Sequence, residues 1–151
     1  MKVVLQRSLE AKVIVNEQIV GQINNGLVIL VGFTIGDTIQ DIDYMINKIK
    51  NMRIFDDEAH VMNKSIVDIQ GDILSISQFT LYADPDKGRR PSYAKALEPG
   101  QAVILYNLFN KKLAEITKIQ TGIFGADMQV SLINDGPVTI ILESRNNNDE
   151  K

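Results

Sequence analysis

Two short segments carry the residues best suited to chemistry: Ser77-Gln78-Phe79-Thr80-Leu81 and Asn134-Asp135-Gly136-Pro137-Val138-Thr139. They offer hydroxyls, amides and a Gly-Pro backbone, and almost nothing that titrates near neutral pH. A site built from them works by shape and backbone hydrogen bonding, or with a reactive group that the substrate brings. An unassisted hydroxyl is a poor nucleophile, and neither Ser77 nor Thr80 has a base as a sequence neighbour. Thr80 therefore reads as an orienting group rather than an attacking one. Taken singly, the first segment is a strand end and Asn134-Asp135-Gly136 is a hairpin turn, since these residue types tolerate positive φ. Pro137 at a strand entrance donates no hydrogen bond, and the cis form of its peptide costs only ~0.5–1 kcal/mol. A Gly-cis-Pro step would turn backbone carbonyls outward to line a pocket.

Other candidate groups are weaker. His60, the single histidine, falls in a polar stretch, and a catalytic triad or a histidine metal site would have to be built on it alone. Asp56, Asp57 and Glu58 are adjacent carboxylates without the spacing of a hard-cation loop, so no metal and no cofactor is expected. Lys87-Gly88-Arg89-Arg90 is the densest positive cluster. It reads as a solvated loop on charge alone, or as a phosphate contact confined to one surface.

The elements that position these groups follow from periodicity. Residues 2–6 and 11–15 alternate apolar and polar and, with 19–23, suggest an antiparallel meander turning at Glu17. Leu27 to Val31 is apolar throughout between Gly26 and Gly32, as a central strand covered on both faces should be. Asp37 with Gln40 three residues on suggests a capped helix whose apolar face carries Ile39, Ile42, Met45, Ile46, Ile49 and Met52. Ile73 to Leu81 reads as one strand, with Ser77 and Phe79 on one face and Gln78 and Thr80 on the other. Residues 83–92, with Pro85, Gly88 and Pro91, form a loop. Pro99 opens a second helix, with Val103, Leu105, Leu108, Phe109, Leu113 and Ile116 as its apolar positions. Strands over 126–133 and 138–143 close the chain. The predicted fold is α+β: a single domain over residues 1–145, with a mostly antiparallel sheet curled into a β-barrel-like core and two main helices outside. Residues 146–151 read as a polar, disordered tail.

Composition sets the bounds. The chain has 151 residues, 44% of them apolar and 23% charged, and a formal net charge of -3. That length buries ~70% of the unfolded surface without staples. There is no cysteine, which removes disulfides and thiolate chemistry and is compatible with a reducing cytoplasm, the expected compartment. No apolar run approaches the ~20 residues of a membrane span, and no secretory signal opens the sequence. The negative balance argues against generic nucleic-acid binding, leaving only a local basic patch for that purpose.

The motifs together resemble those of the D-aminoacyl-tRNA deacylases, also called D-tyrosyl-tRNA deacylases. The likeness runs from Val3-Val4-Leu5-Gln6-Arg7 through Met52-Arg53-Ile54-Phe55, Ser77 to Asp84, Lys87 to Ser92 and Thr121 to Met128, ending at Asn134 to Thr139. Each motif alone is modest, and their common order and spacing carry the resemblance. One departure is Ile123, where many members have arginine before the equivalent phenylalanine.

The resemblance implies a homodimeric hydrolase that cleaves the ester of D-aminoacyl-tRNA, and of Gly-tRNA mischarged on the wrong tRNA, with active sites at the subunit interface. Gly136 and Pro137 of one subunit would enter the pocket of the other and exclude an L side chain. A penalty of ~4 kcal/mol there already gives about a thousandfold rejection. Ser77, Gln78, Phe79 and Thr80 would surround the terminal adenosine and the ester, with Gln78, Phe79 and Thr80 at the catalytic step. Ala102, Phe124 and Met128 would add walls, and Arg7 would brace the Gly-Pro loop. Lys87, Arg89 and Arg90 would meet tRNA phosphates. The terminal 2′-hydroxyl of the tRNA would assist, in keeping with a protein that supplies no nucleophile-base pair. An editing module for a wrong L-amino acid and a non-catalytic nucleic-acid-binding module are the competing readings.

Overall fold

The computed structural model describes residues 1–145, so the tail expected over residues 146–151 lies outside the described residues. Strand β1 (Lys2–Val15) is one continuous element, where the alternation suggested two. Opposite the final strand, β8 (Gln129–Glu143), its register shifts between Gln6 and Ser8 and again between Ser8 and Ala11. At the second shift β1 carries one residue more than its partner, and a slip of one reverses the face that each side chain takes. Val3 and Leu5 accordingly pack in one core cluster and Ala11 and Val13 in another.

Strands β2 (Gln18–Ile23) and β3 (Gly26–Gly32) pair antiparallel with the second and first halves of β1. Strand β6 (Asp72–Ser77) runs parallel to β3, and β7 (Ile119–Thr121) parallel to β6. The sheet order is β2-β1-β3-β6-β7, with β8 also on β1. The sheet is therefore mixed, its antiparallel part built around β1. Two short strands, β4 (Phe55–Asp56) and β5 (Met62–Lys64), form a separate antiparallel pair. β2 also lies against β6 and β7, which curls the sheet into a nearly closed barrel. The fold is a single α+β domain, as its sequence implies.

Both parallel connections are helical. Helix α1 (Ile39–Asn51) links β3 to the β4–β5 pair that precedes β6, and α2 (Pro99–Leu113) lies between β6 and β7. They cover one face of the sheet: Ile42, Met45 and Ile49 of α1 and Tyr106, Phe109 and Leu113 of α2 pack with Val3, Leu5, Leu27 and Ile29. The opposite face holds Val13, Ile23, Val28, Leu74 and Ile76. A strand enclosed on both faces needs an unbroken apolar run, which Leu27 to Val31 supplies.

The cap of α1 is one residue later than the sequence pattern suggests. Thr38 accepts from the Gln40 N–H at 3.2 Å, and Asp41 accepts from the Thr38 N–H at 2.8 Å, a reciprocal capping box. Asp37 is engaged elsewhere, taking the Met1 ammonium at 2.7 Å, Arg145 at 2.7 Å and the Thr34 N–H at 2.7 Å. Among the described residues no helix is long and apolar enough to cross a membrane.

Candidate active site

β6 stops at Ser77, short of the predicted Leu81. The Gln78 N–H donates to the Val31 carbonyl at 2.7 Å, and the chain then turns into a 3-10 helix over Phe79–Tyr82. Strand alternation consequently ends there, and Ser77, Gln78 and Phe79 all face one cavity instead of dividing between two faces. Gly32 permits the turn, because a Cβ at that position would lie 2.9 Å from the Gln78 carbonyl oxygen and 3.1 Å from Leu81 Cβ.

The cavity measures about 540 Å³ and opens where β3 and β6 end. Phe33, Tyr93, Leu97 and Phe124 give it an aromatic and aliphatic wall, Ala102 closes it from α2, and Met128 from the segment before β8. Ser77, Gln78, Phe79, Ala102, Phe124 and Met128, named from sequence, thus come together. Tyr93, Leu97, Glu98 and Phe33 were not named. Tyr93 follows the Arg-Arg-Pro-Ser motif directly, the one signal that could have found it. It meets Phe79 edge to face with ring centroids 5.2 Å apart.

Thr80 is half-buried and, among the described residues, does not line the cavity. Its hydroxyl accepts from the Gln78 side-chain amide. An amide in either orientation is no base, so the residues present do not make Thr80 a nucleophile. Phe124 is held from behind by Tyr106, ring centroids 5.8 Å apart. The Tyr106 hydroxyl donates to the Ser75 carbonyl at 2.8 Å, and Ser75 Oγ donates to Asn110 Oδ1 at 2.8 Å. These buried bonds fasten α2 to β6, and burial pushes the Tyr106 phenol above its ordinary range.

The second segment is not a hairpin. β8 runs through it as one strand, and residues 135–138 bulge out between the pairs Ser8–Asn134 and Gln6–Thr139. The Gly136–Pro137 peptide is cis, and Gly136 has φ +127°. Asn134 closes the base of the bulge, accepting from the Val138 N–H at 3.2 Å and donating to Thr139 Oγ1 at 2.9 Å. Arg7 secures it: Nε donates to the Asp135 carbonyl at 3.0 Å and Nη1 to the Ile54 carbonyl at 2.9 Å. Gly136 and Pro137 are exposed and, among the described residues, do not line this cavity.

The basic cluster lies on the loop that leaves the cavity mouth. Asp84 and Ser92 exchange two backbone hydrogen bonds of 2.8 Å at its base, and Lys87, Arg89 and Arg90 are exposed, with no ion pair among the described residues. Lys112, by contrast, pairs with Asp43. Ile123 is 48% exposed beside Phe124. His60 occupies an exposed turn at φ +60°. Asp57 accepts the Ala59 and Val61 N–H groups there, Glu58 pairs with Lys64, and Asp56 lies 3.6 Å from Arg7.

The site is an aromatic pocket at the strand ends of a barrel-like α+β domain, with hydroxyl and amide groups on its wall and, among the described residues, no hydroxyl on that wall hydrogen-bonded to a carboxylate or imidazole. Residues 4–143 match the family described as D-Tyr-tRNA(Tyr) deacylase, and the chain belongs to that family. Its class of activity is hydrolysis of D-aminoacyl-tRNA. A solved structure described as "c-Myc DNA Unwinding Element Binding Protein" is 41% identical with a TM-score of 0.91, covering 97% of this chain and 100% of that one. Another, described as a "probable eukaryotic D-amino acid tRNA deacylase", has a TM-score of 0.79 at 17% identity over 94% of this chain and 98% of its own. At that identity the second likeness concerns the fold.

Proposed function

We propose that the cavity holds the 3′-terminal adenosine and aminoacyl ester of a D-aminoacyl-tRNA, or of a mischarged Gly-tRNA, and hydrolyses the ester in the cytoplasm. The observation that carries this reading is the convergence of Ser77, Gln78 and Phe79 on a 540 Å³ cavity where, among the described residues, no hydroxyl is hydrogen-bonded to a carboxylate or imidazole: Glu98, the carboxylate on the wall, is bonded to the Gly100 and Gln101 N–H groups. An aminoacyl ester is an activated acyl group, so positioning and oxyanion stabilisation suffice. The Gln78 N–H is spent on Val31. The N–H groups of Phe79 and Thr80, at the start of the 3-10 turn, are the donors assigned to the developing oxyanion. The terminal 2′-hydroxyl assists water in attacking the carbonyl, the acyl C–O bond breaks, and the 3′-oxygen leaves with a proton.

Gly136 and Pro137 act in this reading as the chiral filter of a partner's cavity. Their exposure supports it, as does their separation from their own cavity: Val130 on its wall and Asn134 at the base of the bulge are about 13 Å apart along the strand. β8 pairs only with β1 among the described residues, and its Ile133 and Ile141 are 55% and 64% exposed. An open strand edge with apolar side chains suits a homodimer interface. Lys87, Arg89 and Arg90 contact acceptor-stem phosphates outside the mouth.

Deacylation of D-Tyr-tRNA, L-Tyr-tRNA and Gly-tRNA, compared side by side, tests this function: turnover of the first and third but not the second is expected, and equal turnover of both Tyr-tRNA forms sinks it. Replacing the terminal adenosine by 2′-deoxyadenosine removes most activity if the ribose assists; full activity with that substrate returns the hydroxyl role to Thr80. The name of the 41% identical relative and the exposed cations Lys87, Arg89 and Arg90 favour a second reading, non-catalytic nucleic-acid binding. It predicts salt-dependent binding without turnover.

A further inference from the structure

Among the described residues lining the cavity, Glu98 is the only one with a charged side chain. It also stands at the N-cap of α2, accepting the Gly100 N–H at 2.9 Å through Oε1 and the Gln101 N–H at 3.2 Å through Oε2. An ionised carboxylate has about four acceptor positions, so each oxygen keeps capacity for another donor. The two N–H groups already fix the side chain, which lowers the entropy that a new ion pair would otherwise cost.

Resting on the deacylase reading, we propose that the Glu98 carboxylate is the counter-charge for the α-ammonium of the aminoacyl ester. Every substrate of such an enzyme carries that ammonium whatever its side chain. A cation entering a wall of Phe33, Leu97, Phe124 and Met128 loses hydration, and a carboxylate on the same wall offsets the loss. The charge layout also orients the ligand: among the described residues, one anion on the wall, and three exposed cations on the loop outside the mouth. A molecule with an ammonium at one end and phosphates behind it fits that polarity in a single direction.

The test removes the charge from each side separately. D-tyrosyl-3′-aminoadenosine, a non-hydrolysable amide analogue, and its N-acetyl derivative, which lacks the ammonium, are titrated calorimetrically into wild type, Glu98→Gln and Glu98→Ser. Serine retains a capping side chain without the charge. Both variants should weaken binding of the amine-bearing analogue about two- to fivefold, the range of an exposed ion pair, and leave the N-acetyl analogue unchanged. Equal losses for both analogues would assign Glu98 to the helix cap alone, and no loss for either would remove it from recognition; each outcome overturns the proposal. If wild type deacylates D-Tyr-tRNA while the variants bind both analogues normally, this inference fails alone. If wild type neither binds the analogues nor deacylates D-Tyr-tRNA, the deacylase reading fails with it.

Discussion

Arg7 ties β1 to two other parts of the chain through one guanidinium: the β8 bulge through the Asp135 carbonyl, with its carboxylate at 3.4 Å, and the chain entering β4 through the Ile54 carbonyl, with the Asp56 carboxylate at 3.6 Å. A planar fork makes those bonds and a lysine point charge does not. Arg7→Lys should lower kcat/KM for D-Tyr-tRNA at least about tenfold while reducing stability by only about 1–2 kcal/mol, read by kinetics and a urea melt in parallel. Unchanged kinetics would detach Arg7 from the Gly-Pro loop. Tyr106→Phe tests the α2–β6 fastening: the ring remains, the Ser75 carbonyl loses the Tyr106 hydroxyl and keeps only the longer bond from the Gly122 N–H, and urea unfolding should report a loss of about 1–2 kcal/mol. At Gly136, a Cβ would sit 2.8 Å from Val138 Cγ2 on a backbone at φ +127°. Gly136→Ala should therefore abolish most deacylation while the subunit still melts cooperatively. Ser77, Gln78 and Phe79 were legible from sequence at this scale. Glu98 and Phe33 were not, because nothing in their local patterns tells a wall residue from a cap or a strand end.

Helix α1 is legible almost entirely from its spacing, since an amphipathic face must be buried and Ile42, Met45 and Ile49 are fully enclosed. Its cap was misplaced because Asp37 and Thr38 both fit the start signal, and only the ion cluster of Met1, Asp37 and Arg145 decides between them. Asp41, the reciprocal member of the capping box, has opposing influences: burial raises its pKa, but the Ser144 hydroxyl and the Thr38 N–H outweigh that and hold the carboxyl below its ordinary 3.8. A depressed folded-state value contributes stability that is fully present above pH ~4 and is lost as pH falls through the lower folded value. Wild type should thus lose stability on acidification below pH ~4 more steeply than Asp41→Asn, checked by urea midpoints between pH 2 and 7. Parallel acid limbs would exclude Asp41. The strand predicted to Leu81 stops early because its ladder with β3 ends at the bond from the Gln78 N–H to the Val31 carbonyl, and the hairpin predicted at Asn134 fails because pairing with Ser8 and Gln6 on either side of it overrides the local turn signal.

At the scale of the whole molecule, curling the sheet brings β2 against β6 and β7 and, among the described residues, leaves β8 with one paired edge. A long open edge beside exposed Ile133 and Ile141 has the character of an association surface in the proposed dimer. Sedimentation should find a dimer, and Ile141→Arg together with Ile133→Arg should shift it to monomer and remove deacylation with it. A fully active monomer would overturn the interface-site reading. By itself, the sequence determined the class of fold, the buried face of the first helix, the central strand and the segment that lines the cavity, because hydrophobic period and motif order are written along the chain; on the second helix it missed Ala102 and Tyr106, which are buried with Phe109 and Leu113, while Val103, Leu105 and Leu108 are only half-buried. Only the tertiary structure decided that Ser77, Gln78 and Phe79 share one cavity, that the Gly-Pro step is a bulge fastened by Arg7, and that Glu98 is the one charged side chain among the described residues that line the cavity. These depend on where strands end and which distant backbone they meet, and such contacts between remote residues leave no local pattern in the sequence.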